Sequence, residues 1–137
     1  MRVRLMGAAL VVAAIAAAAC GGITTPSSNT NEQFSGTLPA KGGKSHFFSV
    51  GKTGEFTVKL TSWGPNTNLL VGLALTQGNN DGTCSTAALQ QNNFSSLNVQ
   101  ALGGQIFSGK YCVLIYDVGS LTTADQTYTI TVSHPPA

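Results

Sequence analysis

The sequence predicts an all-β chain, an antiparallel β-sandwich of seven or eight short strands, on the strength of three observations. Beyond Glu32 the apolar residues recur with a period of two, the spacing of strands buried on one face. Turn-forming clusters interrupt them about every ten residues. No long stretch in that region carries helical periodicity, so two packed sheets are the economical way to bury the apolar faces.

In chain order, Arg2 and Arg4 precede an apolar run, Leu5 to Ala19, which ends in small residues ahead of Cys20. These are the parts of an export signal. The run up to Cys20 falls short of the roughly 20 residues that a membrane-crossing helix needs. The stretch resembles a bacterial lipoprotein signal, whose peptidase cuts before a diacylated cysteine. The resemblance implies removal of residues 1–19 and a lipid-anchored Cys20, and Gly21 in place of Asp points to the outer membrane where the organism has one. Ala17 stands where that pattern prefers Leu, and Ala17-x-Ala19 also fits an ordinary secretory cut that would release a soluble protein. Residues 20–31 are small and polar and read as a flexible tether, followed by a sandwich domain over 32–134 and a tail at 135–137.

Within the domain, His46, Phe48 and Val50 share one face, and Phe56, Val58 and Leu60 alternate with Thr57, Lys59 and Thr61. The alternation repeats at Leu69, Val71, Leu73 and Leu75, then at Leu97, Val99 and Ala101. Tyr111 to Tyr116 is apolar on both faces, and Tyr128, Ile130 and Val132 close the series. Thr83 to Ser96 is ambiguous, because Ala87-Ala88-Leu89 is compatible with one helical turn. Turns fall at residues 39–43, at Gly51-Lys52-Thr53-Gly54, at residues 78–82 and at Gly103-Gly104.

Seven basic residues face five acidic ones, but Arg2 and Arg4 lie in the export signal, so the exported chain is neutral. It has no basic stripe for nucleic acid. If Cys20 carries lipid, Cys84 and Cys112 remain as an even pair; a disulfide closing their loop of about 28 residues would add about 3 to 4 kcal/mol. The alternative is a buried pair of free thiols. No cysteine–histidine spacing indicates a metal, and no cofactor is expected.

The order of the pieces resembles the bacterial pre-peptidase C-terminal domain: Phe34-Ser35-Gly36-Thr37-Leu38, then residues 45–50, then Phe56-Thr57-Val58-Lys59-Leu60, Asn68-Leu69-Leu70-Val71, the Gly109-Lys110-Tyr111 strand and Tyr128-Thr129-Ile130-Thr131-Val132. The resemblance spans roughly Glu32 to Ser133. It implies a jelly-roll-like sandwich that serves exported peptidases as an accessory module without catalytic residues. Members that bind calcium use clustered acids near the domain start, where this chain has only Glu32.

For catalysis the chain offers two histidines. His46 sits at the inward parity of a strand and reads as packed, while His134 precedes Pro135-Pro136 at an end expected to fray. Glu32, Glu55, Asp81, Asp117 and Asp125 are isolated from one another, so a small hydrolase is disfavoured. Gly43-Lys44-Ser45 lacks the first glycine of a phosphate loop, and Asn79-Asn80-Asp81-Gly82 reads as a turn rather than a calcium loop. The expected role is that of a non-catalytic envelope binding module whose partner is a glycan or an envelope protein. The candidate surface is the loop holding Trp63, Asn66 and Asn68, with Tyr116 and Asp117 beside it: an indole can stack on a sugar ring while the amides supply donors and acceptors. The competing reading has Trp63 capping the core and the asparagines serving the turn.

Overall fold

The computed structural model describes residues 26–122 and 124–137; Cys20 and the signal segment lie outside the described residues. After a 3-10 turn at Pro26–Ser28 come eight strands: β1 Thr30–Leu38, β2 Gly43–Val50, β3 Gly54–Gly64, β4 Val71–Gly78, β5 Cys84–Ser95, β6 Gln100–Ile106, β7 Gly109–Tyr116 and β8 Gln126–His134. They form two four-stranded antiparallel sheets, ordered β1-β8-β3-β6 and β2-β7-β4-β5. Every connection except β4 to β5 passes from one sheet to the other, which is how a jelly roll wraps.

The core lies between the sheets. Phe56, Val58, Leu60, Tyr128, Ile130 and Val132 project from one, and Phe48, Leu73, Leu75, Val113 and Ile115 from the other, each at the parity that alternation requires. β4 is buried on both faces for most of its length, because its outer-face residues are small and the rings of Tyr116 and Phe47 lie over Gly72 and Gly78.

Three expectations need correction. Residues 87–89 are part of strand β5, not a helical turn. The face formed by Leu97, Val99 and Ala101 does not exist: Asn98 turns the chain at φ 63° and donates its N–H to the Leu60 carbonyl, so β6 begins at Gln100 and buries Leu102 and Ile106 instead. Both ends of the domain are held. Thr30 and Asn31, expected in the tether, pair with His134 and Ser133, and Asn29 Nδ2 donates to the Glu55 carbonyl at 2.9 Å. His134 does not fray but is 1% exposed. Its ring packs on Phe48, Nε2 meets the Glu32 carboxylate at 2.9 Å and Nδ1 donates to the Pro135 carbonyl, while the Gly51 N–H donates to Pro136 beyond it.

Antiparallel pairing sorts the connections to two ends. Loops 39–42, 65–70, 96–99 and 117–125 gather at one, here the loop end. Loops 51–53, 79–83 and 107–108 lie at the other, the terminal end, together with Pro26 and Ala137. The disulfide is formed: Cys84 and Cys112, with Cα atoms 5.9 Å apart, are the partners of Gly78 and Thr76, so the bridge straddles β4 and ties β5 to β7.

Candidate functional site

At the loop end a groove of about 710 Å³ opens between loop 65–70, the end of β5 and the start of loop 117–125. Local sequence explains each wall. Two β5 residues, Asn93 and Phe94, stand opposite the single residue Gly72, and this bulge turns Phe94 outward until it is 76% exposed. Tyr116, the last residue of β7, lies over Gly72 because a Cβ there would fall on its ring, and its hydroxyl donates to Asn93 Oδ1. Burial raises the Tyr116 pKa, so the phenol stays a donor at neutral pH.

Asp117 fixes the third wall. Its Oδ2 accepts the Lys41 N–H at 2.8 Å, and Oδ1 accepts the N–H groups of Gly119 at 2.8 Å and Leu121 at 3.1 Å. Burial pushes its carboxyl up, but the backbone donors outweigh it and hold the group below the usual value. Ser120 then donates to the Leu70 carbonyl, closing the loop against its neighbour. Leu70, Phe94 and Val118 form the apolar lining, and Asn68, Asn93, Tyr116 and Ser120 the polar rim. None of the residues lining the groove is charged.

Of the residues singled out from the sequence, Asn68 and Tyr116 meet in this groove and Asp117 shapes it. Trp63 does not belong to it. The indole is 3% exposed, packs in the core and donates Nε1–H to the Leu69 carbonyl at 2.9 Å, so it has no face to offer a sugar. Asn66 serves the turn: its Oδ1 accepts the Asn68 N–H, and its own N–H donates to Gln126 Oε1. Sequence reasoning missed Asn93 and Phe94; the available signal was a lone phenylalanine after Gln90-Gln91-Asn92-Asn93, too polar a run to bury it.

The histidines are held by structural partners. His46 stacks on Phe34 at 5.1 Å and hydrogen-bonds the Tyr128 hydroxyl at 2.8 Å, sealing the side of the sandwich where β1 and β2 form the edges. Lys44 and Ser45 lie in strand β2, not in a phosphate loop. Asp81 accepts the N–H and hydroxyl of Thr83 and closes the β4–β5 turn. Among the described residues, no three His, Cys, Asp or Glu side chains cluster as metal ligands would.

Fold and groove together define a jelly-roll sandwich with a neutral, loop-built recess at one end. No protein-family model and no curated protein matches the chain. Among solved structures it is similar to the Yersinia pseudotuberculosis-derived mitogen YPM, with a TM-score of 0.57 and 16% identity over 80% of this chain and 89% of that one. It is also similar to Aeromonas hydrophila PliG, a periplasmic inhibitor of g-type lysozyme, with a TM-score of 0.52 and 15% identity over 82% of this chain and 96% of that one. At such identities the likeness is one of fold.

Proposed function

We propose that this chain is an exported, non-catalytic binding module that receives another exported protein in the loop-end groove. The observation that carries the reading is convergence: Leu70, Phe94 and Val118, three of the exposed large hydrophobic residues, line one uncharged recess rimmed by amides and hydroxyls. An apolar centre inside a polar rim is the anatomy of a protein interface, and exposed aromatic anchors dominate the energetics of such sites. The Cys84–Cys112 bridge supports export, since disulfides persist in oxidising compartments. PliG, with a related fold, is an inhibitor of another protein, which is in keeping with a partner-binding role.

Lipidation at Cys20 completes the proposal. Pro26 lies at the terminal end, so a chain anchored through Cys20 presents the groove away from the membrane. The resemblance to pre-peptidase C-terminal domains agrees with a role accessory to another protein.

A second reading, a neutral glycan stacked on Phe94, is favoured by the amides of Asn68 and Asn93 at the rim. The test is retention of envelope proteins by the wild type, Phe94→Ala and Lys59→Ala. A protein retained by the wild type and Lys59→Ala but lost by Phe94→Ala supports the proposal; identical profiles overturn it. Glycan-array binding that Phe94→Ala alone abolishes, with no change in protein retention, selects the second reading.

A further inference from the structure

Among the described residues, the Thr76 hydroxyl is buried with nothing to bond. Thr76 is 1% exposed and its Oγ1 has no hydrogen-bond partner, where a buried polar group ordinarily finds one. Its place in the sheet says which group faces it. Leu73 and Leu75 point into the core, so Ala74 and Thr76 face outward on β4, and Val113 likewise leaves Cys112 facing outward on β7. Thr76 stands opposite Cys112 on one side and Ala88 on the other, with Ala74 and Gly78 before and after it on the same face. Of these neighbours only Cys112 carries a heteroatom in its side chain. Side chains opposite one another on one face of a sheet have Cβ atoms about 5 Å apart, which brings a hydroxyl within reach of a sulfur.

We infer that Cys84 is a thiol-exchange site: a protein dithiol opens the Cys84–Cys112 bridge by attack at Cys84, and Thr76 receives the Cys112 sulfur that is released. The two sulfurs differ in access. Cys84 is half-buried at the start of an edge strand, whereas Cys112 is 0% exposed on a strand between β2 and β4, so an attacking thiolate meets Cys84 first. A new S–S bond forms at Cys84 as the Cys84–Cys112 bond breaks, and the electron pair leaves on Cys112 as a thiolate. The second thiolate of the dithiol then attacks its own sulfur in the mixed disulfide and frees Cys84. The protein has gained two electrons and, with two protons, is a dithiol, while the reductant is left as a disulfide.

Thr76 weights this equilibrium toward the open form. A disulfide sulfur is a weak acceptor with no proton to give, so the hydroxyl beside it stays unpaired; a thiolate accepts the Thr76 O–H, and a thiol can donate to its oxygen. The desolvation cost of the orphan thus falls on the bridged state alone and offsets part of what the closed loop contributes. Opening is local. Between Cys84 and Ala88 no β5 residue is in register with β4, so the bridge is what holds residues 84–87 across that strand. The groove, beside Gly72 at the other end of β4, stays in place.

Equilibrating the native wild type and Thr76→Val in dithiothreitol redox buffers tests this, with the bridged fraction read by thiol alkylation and intact mass. Valine keeps the shape of threonine and removes the orphan, so Thr76→Val is expected to shift the equilibrium ~10-fold toward the disulfide, about 30 mV in potential. Glutathione trapped on the wild type during reduction is expected on Cys84, a peptide-mass readout that holds even if the variant fails to fold. A Thr76→Val equilibrium equal to the wild type's, which is also the result if a buried water satisfies Thr76, overturns the inference. So does glutathione found on Cys112 instead, or a wild-type bridge that opens only when the protein is denatured.

Discussion

Asp117 organises more of the loop end than its modest burial implies, because both carboxylate oxygens accept backbone N–H groups from two different loops. In Asp117→Asn one of those oxygens becomes an amide nitrogen, and a donor then faces a donor. The expected loss is about 1 kcal/mol of stability in denaturant unfolding, with the groove loosened at Gly119-Ser120. Trp63 is a core residue by the same kind of reasoning. Trp63→Phe keeps most of the packing but leaves the Leu69 carbonyl without its indole donor, and a loss of about 1 to 3 kcal/mol is expected. His46 gives the fold a pH dependence. Its pKa falls below 6.5 through burial and, second, through the nearby Lys44 charge, while Phe34 and Tyr128 cover its remaining faces. The unfolded chain thus binds the proton at a higher pH than the native one. This contribution is intact above pH 6.5 and is lost as pH falls from 6.5 toward the lowered native value. Urea midpoints measured between about pH 8 and about pH 5 should fall less steeply in His46→Gln than in the wild type.

At the level of elements, the bulge in β5 does most to place the groove, while the bridge ties β5 to β7 at the far end of β4. Replacing Cys84 and Cys112 together by Ala should lower stability by about 3 to 4 kcal/mol, read from denaturant unfolding, and should free the start of β5 first. Gly72→Ala acts at the opposite end of β4. Its Cβ would fall on the Tyr116 ring, so the ring must leave the groove wall and partner binding should weaken while the rest of the sandwich persists. Strands were legible in the sequence wherever one face is buried: at β2, β3, β7 and β8 apolar parity and burial coincide. β5 was not legible, because an edge strand exposed on both faces has no alternation to show. β6 was misread by one residue, since the turn at Asn98 is made by a non-glycine residue at positive φ, which no strong turn signal announces. The site was half legible. Asn68 stands in a polar loop and Tyr116 at a strand end, both visible in the sequence, whereas Phe94 reaches the groove only through a bulge, and bulges leave no periodic trace.

Taken whole, the molecule is polarised. Both described termini lie at the terminal end, and the groove lies at the other end among loops 65–70 and 117–125. Loops carried on a rigid sandwich are where binding residues concentrate, and both described ends of the chain lie clear of them. The most direct test of the central claim is photo-crosslinking in the expressing cell, with a benzophenone side chain placed at Phe94 and, as a control, at Lys59 on the outer face of β3. A discrete adduct with one exported protein, formed from position 94 and absent from position 59, is the predicted result. The same adducts from both positions, or none from position 94, would contradict it.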